Sequence, residues 1–158
     1  MILTAIMGIN GCKDSSPQYT SITESDVLAI MNEVERATLA KDPDGVMKYL
    51  APFVVINLST ESPELTFLPQ RVQMSRDQYK EELKKTFSKL TRHEYRREND
   101  MITVSDNKRS ALVETDLIEV IVMDGRETKT TTHEKTVMEI IDGKILVTQI
   151  DAMIVKME

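Results

Sequence analysis

Two acidic residues and a histidine in the C-terminal part of the chain, Asp116, Asp151 and His133, are candidates for acid–base chemistry. A carboxyl group buried on the apolar face of a strand has a raised pKa, so it can exchange a proton with a ligand or bind its polar group. Alternate residues of an extended segment share a face, so Asp116 lies on the same face as the apolar residues Leu112, Ile118, Val120 and Val122. Glu114 shares that face, and its burial would cost free energy, so an exposed strand end is the favoured interpretation.

The two histidines of the chain, His93 and His133, are far apart in sequence, and neither lies in a cluster with ligand spacing. We therefore predict no metal site, and we expect no cofactor. His133 lies in a polar stretch of a β-forming segment, where a solvent-facing position is favoured over a catalytic one. Asp151 lies between Ile150 and Ala152 in a comparable setting. Tyr49 is a candidate ligand-binding residue, although packing beneath a sheet is the favoured role.

The composition predicts a single domain with an adaptable core. The chain has 158 residues, of which 41% are hydrophobic, and this length suits one domain. Aromatic residues make up only 4%, with no tryptophan and ten methionines, so the core or a pocket should be rich in methionine. The net charge is −6, and the basic residues are scattered among acidic ones, which argues against nucleic acid as a partner.

The N-terminal segment combines an apolar stretch, a cysteine and a polar stretch. Residues 1–8 are apolar and uncharged, Ile9-Asn10-Gly11-Cys12 follows, and residues 13–22 are predicted to form a flexible tether. This order resembles a bacterial lipoprotein signal, although Asn10 and the lack of a positively charged start depart from it. The resemblance implies acyl chains on Cys12 that anchor the protein to a membrane, in the cell envelope. The alternative is a cytoplasmic protein in which Cys12 is an ordinary thiol.

Two amphipathic helices and a short one are predicted in the first two-thirds of the chain. Thr23 begins a helix whose apolar stripe starts at Val27. Asp42-Pro43 begins a short helix that runs to Leu50 and is ended by Pro52. Residues 53–58 are predicted to form a strand covered on both faces, and residues 65–68 a short strand returning beside it. Ser75 begins the third helix with a capping box.

The C-terminal part of the chain is predicted to form an antiparallel meander. Its strands are residues 101–105, 110–123, 128–141 and 144–156, with Asp-Gly turns at 124–125 and 142–143. The charged residues 92–100 extend into the first strand and should place it at an edge of the sheet or on a wet face. Helices followed by a meander predict an α+β domain, with the helices packed on one face of the sheet.

This order of elements, with the turn Asp42-Pro43-Asp44-Gly45 after the first helix, resembles the nuclear-transport-factor-two-like superfamily and its SnoaL-like branch. The resemblance spans residues 23–156, and we take residues 23–158 as one domain. It implies a cystatin-like cone, a curved antiparallel sheet around helices in the order α-α-β-α-β-β-β-β, with a pocket between them. The ketosteroid isomerases of the superfamily use a tyrosine and an aspartate there. The corresponding positions are about Val34 and Leu58, so that activity is disfavoured.

Three functional hypotheses remain. The favoured one is a non-catalytic domain, tethered to the cell envelope, that binds a small apolar molecule or a protein partner in its pocket. The second is a small lyase, isomerase or hydrolase that uses a pocket carboxylate or histidine, with Asp116, His133 and Asp151 as candidates. The third is a structural homodimer that associates through the exposed sheet face.

Overall fold

The computed structural model describes residues 18–61 and 70–158, which form helices on one side of a six-stranded sheet. The described elements, in chain order, are α1 (Glu24–Leu39), α2 (Pro43–Met47), β1 (Leu50–Thr60), β2 (Arg71–Met74), α3 (Arg76–Lys89), β3 (Leu90–Val104), β4 (Ser110–Met123), β5 (Arg126–Ile141) and β6 (Lys144–Met157). The predicted α+β class is therefore confirmed. Within the described ranges, no helix is long and apolar enough to cross a bilayer.

The sheet has the strand order β2-β1-β6-β5-β4-β3 and is mixed, although mostly antiparallel. One pair departs from the predicted antiparallel arrangement, because β6 returns beside β1 in parallel orientation, with Ile56 opposite Ile150. The strand that returns antiparallel beside β1 is β2, with Val72 opposite Leu58. The strand predicted at residues 65–68 lies outside the described residues.

Helix starts follow the predicted capping chemistry. The Thr23 hydroxyl accepts a hydrogen bond from the Asp26 amide at 3.2 Å, while the Asp26 carboxylate accepts one from the Thr23 amide at 2.9 Å. Ser75 and Gln78 form the same reciprocal pair at the start of α3. At α2, the Asp42 carboxylate accepts from the Gly45 amide at 3.0 Å.

The segment after α2 differs from the prediction. The short helix ends at Met47 rather than near Leu50, and β1 already contains Pro52, at an irregularity in its pairing with β6. The prediction that residues 53–58 are covered on both faces was also wrong. Phe53 is 59% exposed and Val55 39% exposed, because the helices cover only the opposite face of this strand.

The meander follows the sequence signals closely. Asp124 and Gly125 have φ values of 50° and 75°, and Asp142 and Gly143 have values of 49° and 73°, so both turns use the left-handed conformation that glycine accepts without strain. The strand β4 has the predicted bounds, whereas β3 begins at Leu90, directly after α3. The charged segment 92–100 thus lies in β3, which forms an edge of the sheet as predicted.

The core lies between α1, α2 and the helix-covered face of the sheet. It also includes the residue before α1, since Ile22 is buried and its amide donates to the Lys108 carbonyl at 2.8 Å. The Tyr19 amide donates to the Gly143 carbonyl at 2.7 Å. The last residues of the predicted tether therefore pack on the domain, while Cys12 lies outside the described residues.

Candidate functional site

A cavity of about 680 Å³ lies between the sheet and the helices α1 and α3. We call the face of the sheet that borders it the inner face, and the opposite face the outer face. Most of the wall is apolar, with side chains that include Met31, Val34, Leu83, Val113, Leu117 and Ile150. A cavity of this size with an apolar wall is typical of small-molecule sites in proteins.

Strand alternation decides which polar side chains reach the cavity. In β4 the inner face carries Val113, Thr115, Leu117 and Glu119, and in β5 it carries Thr132, Glu134, Thr136 and Met138. Asp116 and His133 have the opposite parity, so they lie on the outer face. The polar part of the cavity is thus formed by residues that differ from the predicted candidates.

Glu119 and His93 form a hydrogen-bonded pair at the cavity. His93 Nε2 lies 3.0 Å from Glu119 Oε1, and the His93 side chain is only 4% exposed. Its ring packs against the rings of Phe87 and Tyr95, whose centroids are 6.4 and 6.3 Å away. His93 Nδ1 is buried and has no hydrogen-bond partner among the described residues. The proton therefore belongs on Nε2, from which it is donated to the Glu119 carboxylate.

Glu134 is another carboxyl group of the cavity wall, in addition to Glu119 and Glu82. Burial raises its pKa, and the nearby Glu119 carboxylate acts in the same direction. The Thr136 hydroxyl donates a hydrogen bond to Glu134 Oε1 at 2.9 Å, which favours the ionised form and opposes the shift. Glu134 is therefore a carboxyl group with a raised pKa in a largely apolar cavity, which is a property shared by many functional carboxyl groups.

Two tyrosines, Tyr79 of α3 and Tyr95 of β3, complete the polar wall. Burial raises the pKa of both hydroxyls, and the Glu134 and Glu119 carboxylates raise it further. Both hydroxyls therefore stay protonated, and both are available to a ligand as donor and acceptor.

Arg97 is the only lysine or arginine among the described residues that line the cavity. Its guanidinium is held by three side chains: Nε donates to Glu35 at 2.9 Å, Nη1 to Asp100 at 2.8 Å and Nη2 to Asn32 at 2.6 Å. Two of these partners are carboxylates, so the positive charge of Arg97 is already compensated.

The predicted candidates Asp116 and His133 do meet, although not in the cavity. They face each other across β4 and β5, and the Asp116 carboxylate accepts hydrogen bonds from His133 Nδ1 and from Asn99 Nδ2. These bonds lower the pKa of Asp116, and the bond from Asn99 has the largest effect. The direction is opposite to the shift expected for a buried acid. The pair is a polar contact of the outer face.

The other candidates also lie away from the cavity wall. The Asp151 carboxylate accepts hydrogen bonds from Asn57 Nδ2 at 2.6 Å and from Gln149 Nε2. Tyr49 packs against the core, with Lys48 Nζ 5.3 Å from its ring centroid, and borders a smaller depression beside α1. In the described parts of the chain, no group of three or more His, Cys, Asp or Glu side chains is placed to hold a metal ion.

The sequence did contain a signal for the inner face. In β5, Thr132, Glu134 and Thr136 share the parity of the core residues Met138 and Ile140, so Glu134 could have been assigned to the buried face. In β4 both faces are largely apolar, and the assignment of Glu119 was ambiguous. Val34 and Leu58, the positions compared with the isomerase residues, both line the cavity as apolar side chains.

Comparison with known proteins supports the fold. No family model matches the chain, and no curated protein matches it. Among solved structures, an NTF2-like protein from Cytophaga hutchinsonii has a TM-score of 0.64 at 12% identity, over 85% of this chain and 100% of the other. An NTF2-like protein of unknown function from Pseudomonas putida has a TM-score of 0.65 at 10% identity, over 82% and 84%.

A third solved structure, from Novosphingobium aromaticivorans, carries a provisional description as a scytalone dehydratase. Its TM-score is 0.68 at 10% identity, over 84% of this chain and 83% of the other. At these identities the similarity shows the fold alone. The chain therefore has an NTF2-like fold.

Proposed function

We propose that this protein binds a small, largely apolar molecule in the cavity between the sheet and the helices α1 and α3. The observation that carries the proposal is the cavity itself, about 680 Å³ of space with an apolar wall and a few polar groups at Glu119, Glu134 and Tyr95. Apolar walls supply affinity, while a small number of polar groups orient the ligand.

A neutral aromatic probe tests this proposal. Naphthylmethanol should bind with a saturable one-to-one isotherm in calorimetry. A tryptophan at Thr132, on the inner face, fills part of the cavity, so Thr132→Trp should weaken binding at least about tenfold. The matched control is His133→Trp, which adds the same side chain to the outer face one residue further along β5. Absence of saturable binding to the unmodified protein, or equal weakening by both substitutions, would contradict the proposal.

Catalysis in the same cavity is a second candidate function. It is favoured by the hydrogen-bonded pair of His93 and Glu119, together with Glu134, whose pKa is raised by burial. The candidates Asp116, His133 and Asp151 do not support it, because they lie away from the cavity. Native mass spectrometry of protein isolated from its host distinguishes the two functions. An unchanged bound molecule is expected for a binding protein, and its conversion during incubation would favour an enzyme.

The outer face of the sheet supports a further proposal, association of two copies. Leu112, Ile118, Val120 and Val122 lie half-buried on this face of β4 with no element of the described chain covering them. Self-association would remove them from water. Light scattering should give twice the monomer mass for the unmodified protein and the monomer mass for Val120→Asp.

The location that we propose is the bacterial cell envelope, with acyl chains on Cys12 as the anchor. The support is the sequence order around Cys12, an apolar stretch before it and a polar one after it. Expression in a bacterial host with radiolabelled palmitate should label the protein, and Cys12→Ala should abolish the label. An unlabelled protein would leave Cys12 as an ordinary thiol of a cytoplasmic protein.

A further inference from the structure

The cavity wall carries more negative than positive charge. Glu119 and Glu134 both line it, and neither has a lysine or arginine partner among the described residues. The one guanidinium of the described wall, that of Arg97, is engaged by Glu35 and Asp100. Both carboxyl groups are partly buried. A partly desolvated carboxylate without a nearby cation is unfavourable, because no opposite charge compensates for the lost hydration.

Among the charged groups of the described wall, the atoms without a hydrogen-bond partner are acceptors. Glu119 and Glu134 each have one oxygen bonded within the protein, to His93 and Thr136, and this leaves the second oxygen of each free among the described contacts. No hydrogen bond reaches the hydroxyls of Tyr79 or Tyr95 from the described residues. The rings of these tyrosines also present π faces that attract cations.

Given the proposed binding of a small molecule, we propose that its class is an organic cation, an ammonium group attached to an apolar body. The ammonium nitrogen would lie beside Glu119 and Glu134, where its N–H groups meet carboxylate and phenolic oxygens. The apolar body would lie against the aliphatic wall formed by residues such as Val113 and Leu117. An anionic ligand is disfavoured, because Arg97, the only guanidinium of the described wall, is already paired.

Protonation of Glu134 should be coupled to binding. The charged and titratable groups that face it are Glu119, Arg97, Tyr79 and Tyr95, from β4, β3 and α3. Burial raises the pKa of Glu134, and a bound ammonium would lower it again by favouring the carboxylate. Binding of the cation therefore releases protons at a pH where Glu134 is partly protonated, and its affinity rises with pH as Glu134 ionises.

Three probes of nearly the same shape test the inference: naphthylmethylamine, which is a cation at neutral pH, naphthylmethanol, which is neutral, and naphthylacetate, which is an anion. Calorimetry on the complete chain should give the tightest binding for the amine and the weakest for the acetate. The amine should exceed the alcohol by at least about tenfold in affinity. In two buffers of different ionisation enthalpy, the amine should show proton release that the alcohol lacks.

Replacing each glutamate by glutamine removes the charge of the carboxyl group and keeps the shape of the side chain. Glu134→Gln should lower the affinity for the amine about tenfold or more and abolish proton release, while the affinity for the alcohol stays within about twofold. Glu119→Gln should also lower the affinity for the amine, because it removes a negative charge. Glutamine can still accept the hydrogen bond from His93, so the local structure should be kept. The matched control is Glu114→Gln, a carboxyl group on the outer face of the same strand that pairs with Lys135, and it should leave amine binding unchanged.

The outcomes distinguish this inference from the proposed function. If the alcohol binds as tightly as the amine, or the acetate binds best, the ligand is not a cation, although the cavity still binds small molecules. If Glu134→Gln and Glu119→Gln both leave amine binding intact, the cation is held elsewhere and the inference fails. If none of the three probes binds, the proposed function fails together with this inference.

Discussion

Arg97 offers a quantitative test of how β3 is tied to α1 at the edge of the cavity. Its side chain is 11% exposed and donates to Glu35 and Asn32 of α1 and to Asp100 of β3. Arg97→Met keeps much of the side chain's volume but removes all three hydrogen bonds. The Glu35 and Asp100 side chains, 28% and 26% exposed, would then lose their cation.

The size of the effect follows from these contacts. A hydrogen bond to a charged group contributes about 1.5–3 kcal/mol when buried, and the partly exposed partners here recover some hydration, so the total is discounted. We expect Arg97→Met to lower the free energy of unfolding by about 2–3 kcal/mol. Arg97→Lys retains the charge but not the fork geometry, so its stability should fall between those of the unmodified protein and Arg97→Met.

Urea unfolding followed by circular dichroism measures this change, with the slope m unaltered if the unfolded state is the same. The control is Arg36→Met, which removes an exposed ion pair with Glu33 on α1 and should leave the stability unchanged within error. A loss of less than about 0.5 kcal/mol for Arg97→Met would refute the reasoning. The Arg97 contacts would then be no stronger than a surface pair.

Three further predictions concern the cavity, the turns and the outer face. Burial raises the pKa of Glu134, so the stability contributed by its protonated form is full below the pKa of an unfolded glutamate and is lost as pH rises through the folded pKa. Glutamine does not titrate, so in urea unfolding Glu134→Gln should lose less stability than the unmodified protein between about pH 4 and pH 8. Parallel pH profiles of the two proteins would contradict this. Gly125 has a φ of 75°, and a Cβ atom at this position would meet no other atom within 4 Å. Gly125→Ala should therefore cost about 1 kcal/mol from backbone conformation alone, and a thermal unfolding curve unchanged by it would be evidence against the left-handed turn. Asp116→Asn and His133→Ala should leave the affinity for naphthylmethanol in calorimetry unchanged. A marked loss of affinity would indicate that the ligand binds on the outer face.

Much of the fold could be predicted from the sequence because its signals are local. The hairpin turns at 124–125 and 142–143 need a left-handed backbone that few residues tolerate, so their Asp-Gly pairs marked the end of β4, both ends of β5 and the start of β6 to within a few residues. The caps at Thr23 and Ser75 defined the helix starts in the same way. The parallel pairing of β1 with β6 joins strands that are distant in the sequence, and no local signal encodes it.

The candidate site was harder to predict, because it depends on which face of the sheet the helices cover. Leu112, Ile118 and Val120 made the face of Asp116 a candidate for the cavity, although an exposed position was favoured, and α1 and α3 pack on the face that carries Glu119. A shift of one residue in parity exchanges the two faces of a strand. The lining of the cavity therefore depends on how the helices pack against the sheet, and the pattern of β4 alone does not encode it.

The binding of a small molecule on the inner face is tested most directly by methyl-selective NMR during a titration with naphthylmethanol. The alternation of the strands supplies an internal control within β4. Shift changes are expected for the methyl groups of Val113 and Leu117, which line the cavity, and for Ile150 of β6. Ile118 and Val120, on the outer face of β4, should not change. Shifts confined to Ile118 and Val120, or none at saturating probe, would contradict binding in the cavity.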